Sequence, residues 1–154
     1  MLNQLVAFTL GEQQYALPLA TVRRVLRMVE VTPLPSAPEV VLGVIDIGGE
    51  ITPVMSMRKR LGMTEPETSL DDQLVVADAG ARSVALVVNA VTGIVERTDE
   101  EVTEAAEIVP GVRYVEGMTR LQGGILFIHD LNRFLSKKEA RQLDGVLAQA
   151  AATE

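Results

Sequence analysis

This 154-residue sequence predicts a mainly β fold, built as two similar barrel-like halves and followed by a C-terminal helix. Three observations carry that prediction. Short apolar runs recur roughly every 8–12 residues between Gly-rich turns, with no long crossover helix, a pattern that suits small barrels better than a parallel sheet. The composition is 47% hydrophobic but only 3% aromatic, so Val, Ile, Leu, Ala and Met must build the core. Valine-rich segments favour pleated, half-buried surfaces. Finally, one β-unit occurs twice. Leu5–Val22 aligns with Leu74–Val91 at an offset of 69, and Gly43–Met57 with Gly117–Leu131 at an offset of 74. Duplication without catalytic residues suggests a docking body with two similar halves.

The elements follow in order. Leu5–Leu10 is a strand, broken by Gly11-Glu12-Gln13, and Gln14–Leu17 is its hairpin partner. Pro18 begins a turn, and Val22–Met28 resumes an apolar stretch carrying Arg23, Arg24 and Arg27. Pro33, Pro35 and Pro38 punctuate a loop, because proline removes backbone donors and fixes φ. Leu42–Ile47 and Glu50–Met57 flank Gly48-Gly49, a hairpin signal because primed turns need positive φ. Pro53 belongs at an edge, at a bulge, or with its nitrogen facing away from a partner. Arg58–Gly62 reads as a turn or helical cap, and the polar Thr64–Asp72 as the connection between halves.

The second half repeats this pattern. Leu74–Ala79 and Val84–Val88 pair around Gly80, and Val91–Glu96 continues as a strand. Thr98–Glu107 is an acidic loop or short helix. Tyr114–Leu121 and Ile125–Leu131 pair around Gly123-Gly124. Ser136 and Glu139 have capping-box spacing, and Ala140, Leu143, Leu147 and Ala150 follow at helical spacing, so 136–150 is a terminal amphipathic helix. Gly145 weakens that helix slightly. One domain over 1–154 results, with subdomains at about 15–66 and about 72–135 and the N-terminal strand packing across. Each subdomain is a five-stranded barrel, and the two share a hydrophobic seam.

Composition narrows the function. A net charge of −7 argues against nucleic acid and against anionic membrane surfaces. There is no cysteine, hence no disulfide or thiolate chemistry, and a reducing compartment is expected. No signal peptide and no apolar run near the roughly 20 residues of a membrane span is visible, so a cytoplasmic protein without direct membrane insertion is expected.

No cofactor is expected and no chemistry stands out. His129 is the single histidine. Its neighbour Asp130 points to the opposite face of a strand, and no nucleophile elbow accompanies them. Asp99, Glu100, Glu101, Glu104 and Glu107 lack the alternating ligands and central Gly of a calcium loop. Phosphate-loop and dinucleotide fingerprints are missing. The Arg23/Arg24/Arg27 group and Arg58-Lys59-Arg60 suit an acidic protein partner, with ordinary solvated charge an equal alternative. Met28, Met55, Met57, Met63 and Met118 fill the core or furnish an adaptable binding surface.

Four stretches in order carry a family likeness: LVAFTLGEQQYALPLATVRRV, PLPSAPEVVLGVIDIGGEITPVMSMRKRLG, LVVADAGARSVALVVNAVTGIVE and YVEGMTRLQGGILFIHDLNRFL. Through them the chain resembles the CheW-like coupling proteins of bacterial chemotaxis over almost its whole length. The resemblance implies two intertwined five-stranded SH3-like barrels with a C-terminal helix. It also implies a non-enzymatic adaptor that bridges methyl-accepting chemoreceptor tips to the regulatory domain of a CheA-type histidine kinase, recruited to membrane-associated receptor arrays. By position, Val22, Val25, Gly43 and Ile45 fall where the family contacts partners in its first half, and Val87, Val88 and Val91 line a groove from the second. Burial within a barrel is an equal alternative for each. This chain departs at one place. The family's usual Glu–Arg pair falls on Arg24 and Gly48, and a reversed pair of Arg24 with Asp46 or Glu50 is expected instead. A non-flagellar pathway and a small-ligand sensor using the apolar seam stay open as alternatives.

Overall fold

The computed structural model describes residues 1–64, 69–104 and 114–152. Its strands are β1 (Leu2–Leu10), β2 (Gln13–Pro18), β3 (Val22–Arg27), β4 (Val41–Ile47), β5 (Glu50–Met55), β6 (Gln73–Ala79), β7 (Arg82–Val88), β8 (Ala90–Thr98), β9 (Thr103–Glu104), β10 (Val115–Leu121) and β11 (Gly124–His129). Among the described residues two α-helices accompany them: α1 (Met57–Arg60) and α2 (Lys137–Ala152). Parts of the expected Thr64–Asp72 connection and of the acidic Thr98–Glu107 stretch lie outside the described residues. So does the end of the chain beyond Ala152.

The strands form two sheets, ordered β8-β1-β2-β11-β10-β9 and β3-β6-β7-β5-β4. Under the sequence repeat, β1–β2 corresponds to β6–β7, β3 to β8, and β4–β5 to β10–β11. Each sheet therefore takes its opening hairpin from one copy and its other strands from the other copy. The halves are intertwined by exchange of hairpins. Parallel ladders make the joins: Leu126–Ile128 of β11 beside Gln14–Ala16 of β2, and Val54–Met55 of β5 beside Ala85–Leu86 of β7.

The exchange explains why LVAFTL and LVVADA are apolar on both faces. In β6, Val75 and Ala77 join a central core with Phe8, Leu17, Met55 and Leu86. Leu74 and Val76, pointing the other way, join Ile45, Val54, Ala85 and Val87 inside the β3–β7 sheet. Likewise Phe8 and Leu10 of β1 enter the central core, while Leu5 and Ala7 pack with Ala16, Leu126 and Ile128. A strand covered on both faces reads as a continuous hydrophobic run. Each such Val, Leu, Ile, Phe or Met side chain contributes about 1.5–3 kcal/mol on burial. The central core is the expected seam, and Met28, Met55 and Met57 are buried core filling, not surface.

Two expectations need correction. Among the described residues no ladder joins β3 to β4 or β8 to β10, so the sheets are SH3-like but not closed by hydrogen bonds. The first sheet also gains a sixth strand, β9, pairing Glu104 with Gly117 and Thr103 with Met118. The Gly48-Gly49 turn is as expected, with φ of +58° and +94°. The second Gly-rich turn sits one residue earlier than its glycines suggest: Leu121 faces Gly124, and Gln122-Gly123 form the turn. Pro53 faces Val44, just before the ladder to β7 begins at Val54, so that ladder does not depend on its missing N–H.

The capping box at the last helix is made as the sequence predicts. Ser136 N–H donates to Glu139 Oε1 (3.0 Å), and Glu139 N–H donates to Ser136 Oγ (3.1 Å). Leu143 docks the helix into the central core beside Phe134. Arg60 donates to Glu139 (2.5 Å), Arg82 bonds Asp144, and Gln142 donates to the Ser36 carbonyl (2.8 Å). The helix is thus tied to α1, to the β6–β7 hairpin and to the proline loop. Burial acts to raise the Glu139 pKa, but hydrogen bonds from Arg60 and Ser136 outweigh it and hold the carboxyl below its ordinary value.

Candidate partner-binding surface

The edge strands β3 and β8 are repeat mates, and each borders one sheet. Both are largely exposed while the strands beside them are buried. Val22 and Val91, mates under the 69-residue offset, are half-buried and pack against the same central core. The structure therefore brings these two predicted residues to one seam from opposite halves. Three positions further on, Val25 is 37% exposed and its mate Ile94 is 54% exposed. Ile94 was not among the predicted residues, although the same offset points to it. A second matched pair, Ile51 and Ile125, follows the two Gly turns and is also exposed.

The remaining predicted residues divide. Ile45, Val87 and Val88 are core: Ile45 and Val87 fill the interior of the β3–β7 sheet, and Val88 faces the central core. They present no surface of their own and shape the face only from beneath. Gly43 is buried at a bulge in the β4–β5 ladder. A Cβ there would lie 2.2 Å from the Thr32 carbonyl oxygen, so its first role is to admit the returning proline loop. Gly117, its mate under the 74-residue offset, stands at the matching bulge and admits Thr103 of β9 in the same manner. Gly48 is exposed in its turn, with open space around it.

Arg24, Gly48 and Glu50 line one cleft of about 580 Å³, together with Arg23, Thr52 and Ser83. The expected reversed pair is not made. Among the described residues Arg24 forms no ion pair with Asp46 or Glu50. The physical reason on the Asp46 side is local: its Oδ1 accepts the Gly49 N–H at 2.7 Å and is committed to the turn. Arg23 is partly engaged, with Nε 3.4 Å from Asp78 Oδ1 and a hydrogen bond of 3.0 Å to Ser83 Oγ.

No chemistry assembles elsewhere among the described residues. No group of His, Asp or Glu could hold a metal ion, and no helix is long and apolar enough to cross a membrane. His129 is buried between Tyr114 and Phe134.

A family model described as the CheW-like domain matches residues 4–139. The chain belongs to the CheW-like domain family. Members of this family are scaffold and adaptor proteins, not enzymes. Among relatives, the chain is 28% identical over 139 residues to a chemotaxis protein CheW of Rhizobium meliloti, covering 89% of this chain and 90% of that one. It is 25% identical over 146 residues to a chemotaxis protein CheW of Treponema pallidum, covering 91% and 86%. The crystal structure of the scaffolding protein TtCheW from Thermoanaerobacter tengcongensis shares the fold, with a TM-score of 0.81 at 24% identity over 90% of this chain and 96% of that one.

Proposed function

We propose that this chain is a chemotaxis adaptor that couples the cytoplasmic tips of chemoreceptors to the regulatory domain of a CheA-type histidine kinase. It would act in the cytoplasm, recruited to membrane-associated receptor arrays. The observation that carries this reading is the pair of matched, exposed apolar positions, Val25 and Ile94, on edge strands of two related sheets. Edge strands that keep large apolar residues exposed invite a partner, since proteins ordinarily blunt such edges. The body behind them is densely filled. Phe8, Leu17, Met55, Met57 and Phe134 are fully buried in the seam, which favours docking on the surface over a ligand held inside it. Two similar faces suit two partners, and many linked weak contacts give an array its strength.

The test mixes the purified protein with a receptor cytoplasmic fragment and with the kinase regulatory domain of the same organism. Val25→Glu and Ile94→Glu are exposed changes that leave the core intact. At least one of them is expected to weaken binding to one partner by about tenfold or more, as for a carboxylate placed in an apolar contact. Val22→Glu, nearer the seam, should impair binding as well. Failure of the unchanged protein to bind either partner would overturn the adaptor reading.

A further inference from the structure

We propose that β3 is a cationic docking strip that selects a partner presenting an acidic, extended strand, with a carboxylate of that strand seated on Arg24. The inference rests on the adaptor reading and adds the chemistry of the partner.

The charge distribution is the first support. The chain carries a net charge of −7, yet the six residues of β3, Val-Arg-Arg-Val-Leu-Arg, hold three arginines and no acid. Arg23 is partly satisfied by Asp78 and Ser83. Arg24 and Arg27 are exposed, and among the described residues neither forms an ion pair. An arginine fork without a carboxylate is a recognition element in waiting, because its fixed donors match a carboxylate in two-point geometry.

The second support is position. Alternation places Arg24 on the face of Leu26, which packs on the interior of the β3–β7 sheet. Arg24 therefore stands at the mouth of that interior, in the cleft it shares with Gly48, Glu50 and Thr52. The two nearby acids leave room for an external one: Asp46 is held by the Gly49 N–H, and Glu50 stands outside ion-pair reach of Arg24. Gly48 adds no side chain above the turn, and nothing lies within 4 Å of where its Cβ would be, so the cleft opens at that end.

The third support is the backbone. β3 pairs only with β6 among the described residues, so its outer edge is unladdered. An extended segment can add there through main-chain hydrogen bonds, with side-chain contacts supplying selectivity. Val25 would give the added strand an apolar contact between the arginines. A partner with a cation opposite Arg24 would be repelled, so this site discriminates by sign.

The experiment measures binding of the full chain to the kinase regulatory domain and to the receptor fragment across about 50 to about 500 mM salt. For the partner seated on β3, Arg24→Glu should weaken binding about tenfold and flatten its salt dependence. Arg24→Lys should retain most of the salt dependence. Reversing one carboxylate of that partner to Lys should restore binding to Arg24→Glu. Circular dichroism checks the fold, which an exposed substitution leaves intact. If Arg24→Glu keeps both affinity and salt dependence while Val25→Glu abolishes binding, the acidic-partner inference falls and the adaptor reading stands. If the unchanged chain binds neither partner, both fall.

Discussion

Replacing Gly43 by alanine should lower stability by about 3 kcal/mol, the largest loss from any glycine in the two Gly-centred hairpins and their bulges. The added Cβ would lie 2.2 Å from the Thr32 carbonyl oxygen, 2.8 Å from the Thr32 carbonyl carbon and 2.7 Å from Val31 Cγ1. Two of those atoms are backbone, and they are fixed by reciprocal hydrogen bonds: Thr32 N–H to the Val44 carbonyl at 2.9 Å and Val44 N–H to the Thr32 carbonyl at 2.8 Å. Neither strand can withdraw without breaking that bridge. A φ of +155° adds strain for any residue with a side chain. Gly117→Ala should lose less, because its nearest atom, at 3.0 Å, is a movable Val102 methyl. Gly48→Ala meets no atom and pays only for φ of +58°, about 1 kcal/mol. Urea unfolding of the three variants should rank them in that order. A Gly43→Ala protein as stable as Gly48→Ala would refute the argument. A binding defect in a Gly43 variant would then follow from a displaced proline loop, so Gly43 positions the partner face and does not touch the partner.

The repeat was legible because apolar and Gly positions match at fixed offsets. The exchange of hairpins was not, because a strand that is apolar on both faces, such as Leu74–Ala77, states that it is covered twice without naming its neighbours. The same feature settles Val87 and Val88 on the buried alternative that the sequence left open. Adjacent strand residues point to opposite faces, so a run that buries both belongs inside a sandwich and not along a groove. β9 escaped notice because its two residues make a ladder only where Gly117 admits them. Contacts formed across long sequence separation, such as Gly43 with Thr32 or Arg60 with Glu139, leave no local pattern to read. The exposed mates Val25 and Ile94 were readable in principle, since the offset that revealed the fold also pairs them.

Mild acid, from pH 6.5 down to about 4, should destabilise this protein chiefly through His129. His129 is 1% exposed, its ring stacks on Tyr114 at 6.3 Å and meets Phe134 at 5.7 Å, and among the described residues neither ring nitrogen has a hydrogen-bond partner. Burial pushes its pKa down to about 4. The Arg60 guanidinium, 5.4 Å from the Tyr114 ring and 5.6 Å from the Phe134 ring, adds a positive charge to the same cluster, although its ion pair with Glu139 offsets it. In the unfolded chain the imidazole titrates near its ordinary value, about 6.5. Between these values the unfolded chain binds the proton and the folded one does not, so stability is full above pH 6.5 and falls as the pH drops. The loss should reach about 3 kcal/mol near pH 4 and then level off. Glu139, held below its ordinary value, loses its contribution only at lower pH, within the carboxylate range. His129→Phe keeps the aromatic contacts and sacrifices no hydrogen bond. Its urea midpoint should therefore hold nearly constant from pH 6.5 to pH 4.5 while that of the unchanged protein falls. Parallel slopes for the two proteins would show that the imidazole is not the acid-labile group.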